Sequence, residues 1–298
     1  MADNKVQYSQ WLKRGTNIFV PTDNSITVEK IESGVYDIKY TQDMGYYLMK
    51  KDLNLDELID LPSVEGKDAI NGIETFWQRR DKFVEYGYAY KRGVLLYGVP
   101  GGGKSSIINL LCKKLIDDKQ GVIFTLNSHD DLIRYSSFMP EIYRMIEPDR
   151  PIICIIEDID GLCQNKETES QLLNVLDGIE QLQNIVYLAT TNYTERLSER
   201  ITNRPNRFDI RIEVKSPNTE CRRIYFKAKL KEEDLKTIDV EQWVRETEGL
   251  TMAHLGEVIK SVIILGNTFV DTMERLEGMK QTPVSRNYNK DFKEKIGF

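Results

Sequence analysis

The pattern of apolar and polar positions changes twice along the chain. Between residues 17 and 51, short apolar segments (NIFV, SITVEKI, GVYDIKY and GYYLMK) are separated by turn signals such as PTDN and ESG. Segments of this kind are typical of strands, so we predict a small β-rich module. From Val64 to Tyr86 the apolar residues recur at helical spacing, which predicts a helix.

After Arg92, apolar segments such as GVLLYG, GVIFTL, PIICIIE, NIVYLATT and DIRIEV alternate with helical patterns. Nearly continuous runs of Val, Ile and Leu are typical of a parallel sheet that is covered on both faces, which predicts an α/β domain. Beyond Pro217 only helical patterns remain, with Asn218 or Thr219 as the expected N-cap. The predicted divisions are an N-terminal β-rich module at 1–55, an α/β domain at 56–216, a small helical domain at 217–282 and a polar tail at 283–298.

Composition narrows the class of protein. Of the 298 residues, 40% are hydrophobic and 30% are charged, as in a globular protein. The net charge of -6 offers no broad attraction for phosphate backbones, so nucleic acid is not favoured as a partner. No apolar stretch approaches the roughly 18 to 20 residues that cross a bilayer. We therefore expect a soluble, cytoplasmic protein without a membrane segment.

The segment GVPGGGKS, from Gly98 to Ser105, has the G-x-x-x-x-G-K-[ST] spacing of a phosphate-binding loop. It follows a predicted strand and precedes a predicted helix, which is the context that such a loop requires. Glycines let consecutive backbone N–H groups turn towards phosphate oxygens, and the helix directs its positive end at them. Lys104 would reach the β- and γ-phosphates, and the Ser105 hydroxyl would hold magnesium. The residues predicted to bind nucleotide are Gly98, Pro100, Gly101, Gly102, Gly103, Lys104, Ser105 and Ser106; the alternative is a plain glycine turn.

A second group of polar residues follows the apolar segment PIICIIEDID, which ends in Glu157 and Asp158, with a third acid at Asp160. We expect this strand to lie beside the strand that carries the phosphate loop, with its acids at the carboxyl edge of the sheet. Successive side chains of a strand point to opposite faces, so Glu157 and Asp158 should have different tasks. One would steady the magnesium and its waters, and the other would activate the water that attacks the γ-phosphate.

Three further residues complete the predicted site. Asn192 ends the segment LATTN and would contact the γ-phosphate or the attacking water, although a lone Asn there is usually a turn residue. Arg204 and Arg207, in NRPNRFD, are three residues apart. Such arginines are ordinarily solvated charges, but these lie where a neighbouring subunit could approach.

Together these segments resemble the AAA family of ring-forming ATPases. The matching segments, in the family's order, are LLYGVPGGGKSS (Walker A), IICIIEDID (Walker B), LLNVLDGI, LATTN (sensor 1) and RPNRFD (the arginine-finger region), and they cover about Leu61 to Gly266. The resemblance implies a P-loop NTPase domain with a five-stranded parallel sheet, a helical lid domain, and ATP and Mg²⁺ as cofactors. Within the family, EDID and YKRGVLLYG look most like the subgroup of the mitochondrial inner-membrane translocase of the folded Rieske iron–sulfur protein.

The resemblance also implies roles for single residues. Glu157 takes the usual Walker B Asp position and, with Ser105, would hold the metal. Asp158 takes the catalytic Glu position with a side chain about 1.5 Å shorter, which is compatible with slow hydrolysis. Asn192 would be the sensor. Arg204 and Arg207 would act on the site of the next subunit, which implies a homo-oligomeric ring, a hexamer or, as in the translocase, a heptamer.

The function implied by the resemblance is a chaperone that uses ATP hydrolysis to remodel or translocate a protein partner. Tyr135 or Phe138 would be a pore aromatic that grips an unfolded chain, unless both residues pack in the core. The alternatives are a nucleic-acid motor or loader, and a nucleotide-switch scaffold with weak hydrolysis. The sequence contains no H-E-x-x-H motif, so we expect no fused zinc protease.

Overall fold

A computed structural model describes residues 10–22, 27–51, 64–177, 182–204 and 206–281 of the chain. The described residues divide into two compact units: residues 10–100 with 104–215 form unit 1, and residues 101–103 with 216–281 form unit 2. The predicted boundary at residue 55 and the predicted tail at 283–298 lie outside the described residues.

Unit 1 is built on one nine-stranded sheet with the strand order β1-β2-β4-β3-β6-β7-β8-β5-β9. The strands are β1 (Gln10–Arg14), β2 (Ile18–Thr22), β3 (Gly34–Thr41), β4 (Gly45–Lys51), β5 (Lys91–Gly98), β6 (Val122–Thr125), β7 (Ile152–Ile156), β8 (Ile185–Thr191) and β9 (Ile210–Val214). The five strands from β6 to β9 in this order are all parallel, which confirms the predicted α/β fold. β3 is a sixth parallel strand, so the parallel part of the sheet is larger than the five strands expected.

The N-terminal strands continue this sheet. β3 pairs in parallel with β6, and β4, β2 and β1 follow as an antiparallel extension. Of the predicted segment SITVEKI, the described part forms only an isolated bridge between Val28 and Trp11, whereas β1 was not predicted. The β-rich segment is therefore hydrogen-bonded to the parallel strands.

A buried carboxylate fastens the extension to the rest of unit 1. Glu147 is 3% exposed and accepts hydrogen bonds from Trp11 Nε1 (3.1 Å) and from the backbone N–H of Ile31 (2.9 Å). Arg150 Nη1 lies 3.0 Å from the other carboxylate oxygen and neutralises its charge. Because Glu147 lies 136 residues from Trp11 in the chain, the contact links distant parts of one sheet and its covering helices.

Helices cover both faces of the sheet, and an apolar core lies on each face. The helices of unit 1 are α1 (Val64–Gln78), α2 (Arg80–Glu85), α3 (Lys104–Lys119), α4 (His129–Phe138), α5 (Arg144–Ile146), α6 (Ile159–Leu162), α7 (Lys166–Asp177) and α8 (Glu199–Thr202), with a π-helical turn at Met139–Tyr143. The predicted helix from Val64 to Tyr86 is two helices. The N–H of Arg79 bonds to the carbonyl of Phe76, which tightens the last turn of α1 before α2 begins.

Unit 2 is helical, as predicted for the residues after Pro217. Its helices are α9 (Thr219–Lys229), α10 (Glu232–Leu235), α11 (Val240–Glu246), α12 (Met252–Ile259) and α13 (Phe269–Gln281). Asn218 is the N-cap of α9, because its side-chain oxygen accepts a 2.8 Å hydrogen bond from the N–H of Cys221. Phe226 and Phe269 pack on Trp243 in the core of this unit.

Candidate functional site: the carboxyl edge of the parallel sheet

The strand order corrects one expectation from the sequence. β7, which precedes the acids, does not lie beside β5; β8 lies between them and pairs with both. Apolar segments predict that strands exist but not their order, which depends on the crossover connections. The register pairs Tyr97 with Thr191 and Ile156 with Ala189, so the phosphate loop, Asn192 and the acids all follow the same edge.

The loop between β5 and α3 has the backbone that its glycines permit. Gly98 has a φ of +135°, and a Cβ added there would lie 2.3 Å from the carbonyl oxygen of Val214 in β9. Gly101 and Gly103 have φ values of +71° and +108°, in the region that favours glycine. Pro100 and Gly102 belong to the same loop, which joins β5 to α3 in the strand–loop–helix order expected for a phosphate site.

Lys104, the first residue of α3, is 7% exposed and directs its amine into the edge of the sheet. Nζ donates to the carbonyls of Gly98 and Val99, both at 3.0 Å, and to Asn192 Oδ1 at 2.6 Å. Burial lowers the pKa of Lys104, and the negative charge of Asp158 opposes that shift. The structure thus holds a cation at the place where the sequence predicts a phosphate contact.

Ser105 and Glu157, the two residues that the sequence predicts to hold the metal, contact each other. Ser105 Oγ donates a 3.0 Å hydrogen bond to Glu157 Oε1, and both residues are exposed at the edge. A hydroxyl and a carboxylate are the hard oxygen donors that Mg²⁺ prefers, and Mg²⁺ usually keeps several waters beside one or two protein ligands. These residues therefore fit Mg²⁺. Ser106, the next residue of α3, is also exposed.

Asp158 leaves the strand in an unusual backbone conformation. Its φ of 46° and ψ of 50° are left-handed, which costs about 1–3 kcal/mol for a residue other than glycine. Its N–H donates to Thr190 Oγ1 at 3.1 Å, and its Oδ1 lies 3.4 Å from Asn192 Nδ2. The carboxylate borders an open cleft of about 450 Å³ that is lined by Asn127, Glu157, Asp158, Gly161 and Leu162.

The third acid, Asp160, is 7% exposed and points back to the sheet. Its Oδ1 accepts a 2.6 Å hydrogen bond from Thr191 Oγ1, and its Oδ2 lies 3.9 Å from Arg196 Nη1. The sequence indicated a third acid at Asp160 but no role for it, and it gave no indication that Thr190 and Thr191 contact the acidic segment. The only signal available was two hydroxyl residues at the end of an otherwise apolar strand.

The two predicted finger arginines have different surroundings. Arg204 is exposed and makes no ion pair with the residues that the structure describes. The Arg207 side chain is 4% exposed; its Nε lies 2.5 Å from Asp177 Oδ2, and its Nη1 donates to the carbonyl of Arg200. Gly93 permits this packing, since a Cβ there would lie 1.5 Å from the carbonyl oxygen of Arg207. The guanidinium of Arg207 is thus occupied within its own chain.

The aromatic residues considered for a pore are core residues. Tyr135 is 1% exposed and Phe138 is 0% exposed, and both belong to the apolar core that contains Trp11. Of the two roles left open from the sequence, packing is confirmed for both residues.

A known protein family matches the part of the chain that forms this edge of the sheet. Residues 94–216, which include the phosphate loop, the acids, Asn192 and both arginines, match the ATPase family associated with various cellular activities (AAA). This segment is similar to an AAA ATPase domain. The predicted resemblance to this family is confirmed at that level.

Relatives of the chain include bacterial proteins named ATP-dependent zinc metalloprotease FtsH 2. The protein from Sphaerobacter thermophilus is 27% identical over 216 residues, which cover 67% of this chain and 32% of that protein. The one from Salinibacter ruber is 25% identical over 249 residues, which cover 78% of this chain and 35% of that protein. The chain thus spans about a third of the length of these relatives. In the part of the chain that the structure describes, no helix is long and apolar enough to cross a membrane.

Proposed function

We propose that this protein hydrolyses ATP with Mg²⁺ in a homo-oligomeric ring and uses the cycle to remodel or translocate a protein partner. The observation that carries the proposal is the continuous contact from Lys104 through Asn192 to Asp158. It joins the cation that follows the phosphate loop to the carboxylate that borders the cleft. The Ser105–Glu157 pair lies on the same edge and fits the metal.

Each residue then has a distinct task. Lys104 binds the β- and γ-phosphates of the substrate, together with the backbone N–H groups of the loop. Ser105 and Glu157 would hold Mg²⁺, which would supply positive charge to neutralise the phosphates. Asp158 accepts a proton from the attacking water, and Asn192 orients that water and the γ-phosphate.

Hydrolysis is tested most directly at Asp158. We expect Asp158→Asn to abolish ATP turnover while ATP binding, measured by calorimetry, stays within a few-fold of the unchanged protein. Asp118→Asn, on the exposed end of α3, is the matched control and should turn over ATP normally. Unchanged turnover in Asp158→Asn would refute the assignment. No turnover in the unchanged protein would favour the nucleotide-switch alternative.

The ring is proposed because Arg204 is exposed and has no ion-pair partner among the described residues of its own chain. A guanidinium placed on the next subunit's γ-phosphate accelerates hydrolysis by about 10³ to 10⁵. A head-to-tail contact that closes into a ring supplies each site with one such residue. Native mass spectrometry with ATP would identify the hexamer or heptamer expected from the resemblance.

Mixing two inactive variants tests the action between subunits. Arg204→Ala keeps its own site, and Asp158→Asn keeps its own finger. In an equal random mixture, about a quarter of the interfaces combine an intact site with an intact finger, so turnover should reappear. Turnover that stays absent in mixed rings would show that Arg204 acts within its own chain or not at all.

The protein partner rests on the likeness to the FtsH proteins and on the resemblance of the motifs. Passage of folded cargo, as in the Rieske-protein translocase subgroup, fits the absence of Tyr135 and Phe138 from the surface. Turnover should rise with an unfolded protein such as reduced casein or with a folded domain carrying a flexible tag. Stimulation by single-stranded DNA alone would instead support the nucleic-acid motor.

A further inference from the structure

Two consecutive threonines, Thr190 and Thr191, end the strand β8 just before Asn192. They are 3% and 0% exposed, in a strand whose other residues are apolar or aromatic. Burying a hydroxyl without a hydrogen bond destabilises the folded state, so each of these two hydroxyls needs a partner. Both hydroxyls bond to the segment that carries the acids.

Thr190 acts on Asp158. Its Oγ1 accepts the backbone N–H of Asp158 at 3.1 Å, at the residue where the chain turns into the left-handed conformation. A neighbouring strand that supplies a fixed acceptor stabilises this one backbone direction over the extended alternative. The direction determines where the Asp158 carboxylate points.

Thr191 acts on Asn192. Its Oγ1 donates to Asp160 Oδ1 at 2.6 Å and accepts the N–H of Tyr193 at 2.9 Å. The guanidinium of Arg196 lies 3.8 Å over the ring of Tyr193, and its Nη1 is 3.9 Å from Asp160 Oδ2. The N–H of Tyr193 is therefore bonded to Thr191 Oγ1, which the buried Asp160 carboxylate holds in turn.

The two effects converge on one contact. Asn192 Nδ2 lies 3.4 Å from Asp158 Oδ1, and Asn192 Oδ1 accepts from Lys104 Nζ. Successive residues of a strand point to opposite faces, so the two threonines hold the acidic segment from both sides of β8. We propose that Thr190, Thr191 and Asp160 are positioning residues that set the relative placement of Asp158 and Asn192 for hydrolysis. This inference rests on the proposed function of those two residues.

The test compares removal of each hydroxyl with its retention. Thr190→Val and Thr191→Val keep the branched shape and lose the hydroxyl, whereas Thr190→Ser and Thr191→Ser keep it. We expect each Val variant to lower kcat by about 10- to 100-fold, because a displacement of about 1 Å costs up to that factor. KM for ATP should change less than about threefold, and the Ser variants should retain most of the rate. Thr125→Val, at the end of β6 and bonded to Asp37, is the control with normal turnover.

A double-mutant cycle distinguishes positioning from a general loss of structure. Asp160→Asn should add little to the loss of turnover in Thr191→Val, because both changes weaken the same hydrogen bond. Thermal unfolding of each variant reports folding; if a Val variant does not fold, the Ala variant at that position replaces it under the same criteria.

Two results would overturn the inference: Val variants with normal kcat, or Ser variants as slow as the Val variants. Failure of the proposed function gives a different result, since Asp158→Asn would then leave turnover unchanged whatever the threonines do.

Discussion

Replacing Arg204 and Arg207 one at a time by alanine should produce two different defects. Arg204 is exposed, and exposed substitutions usually change the free energy of unfolding by no more than about 0.5 kcal/mol. Its loss should instead reduce ATP turnover of the assembled protein by about 10³-fold or more, as removal of an arginine finger does.

Arg207→Ala should destabilise unit 1. Removing one partner of an ion pair costs about 3–5 kcal/mol when the other charge remains fully buried. Asp177 is 22% exposed and is left with Lys91, whose Nζ lies 3.5 Å from its Oδ1, so we expect the lower end, about 3 kcal/mol. For a unit of this size that is a fall in Tm of roughly 6–12 °C. Arg207→Lys should lose less, because it keeps the charge beside Asp177 while giving up the bond to the carbonyl of Arg200.

The assays are thermal unfolding followed by circular dichroism, and turnover followed by phosphate release below every Tm. Arg245→Ala, an exposed arginine on α11, is the control for both. If Arg207→Ala unfolds like the unchanged protein but turns over ATP about 10³-fold more slowly, Arg207 is a second finger and the separation of roles is wrong. If Arg204→Ala lowers Tm as much as Arg207→Ala, Arg204 contributes to folding as much as Arg207 does, and the prediction is wrong.

Two further predictions concern the N-terminal strands. Trp11→Phe removes one hydrogen bond to the buried Glu147 carboxylate and should lower the free energy of unfolding by about 1.5–3 kcal/mol. Glu147→Ala leaves the Arg150 charge without its partner and should lower it by about 3–5 kcal/mol. Urea unfolding followed by circular dichroism measures both changes, and an unchanged midpoint in Glu147→Ala would contradict the role of the buried carboxylate. Hydrogen bonds from Lys13 and Lys50 lower the pKa of Glu32 from 4.5 to about 2. Because the folded-state pKa is the lower one, the stability gained is present above pH 4.5 and is lost as the pH falls towards 2. Glu32→Gln should thus destabilise the protein at pH 7 by less than about 1 kcal/mol, since the Glu32 side chain is 52% exposed. The difference in stability between this variant and the unchanged protein should vanish near pH 2 or in 1 M salt. A difference that persists in acid would contradict the prediction.

Much of the fold could be predicted because it depends on local patterns. The phosphate loop has a fixed spacing and context, and apolar runs in β7 and β8 predict buried parallel strands directly. Pairing is not local: β3 meets β6 although Tyr36 and Phe124 are 88 positions apart, and no periodicity specifies that partner. The insertion of β8 between β5 and β7 escaped prediction for the same reason.

Residues of the candidate site could be predicted where the chemistry requires a particular residue type. Residues that only support these side chains through contacts could not be predicted. Lys104, Ser105, Glu157 and Asn192 meet at one edge as expected. Thr190 looked like part of an apolar strand, and the burial of Arg207 depends on Asp177, a lone acid thirty residues earlier. Such partners become visible only when the chain is folded, because their spacing follows no motif.

The pairing of β3 with β6 bears on how the segment that matches the AAA family can be isolated. A shortened protein limited to residues 94–216 would leave β6 at the margin of the sheet, with a row of backbone amides and carbonyls open to any other chain. It would also strip the apolar partners Trp11 and Leu48 from the aromatic core beside α4. The segment that matches the family model is therefore narrower than the sheet to which its strands belong.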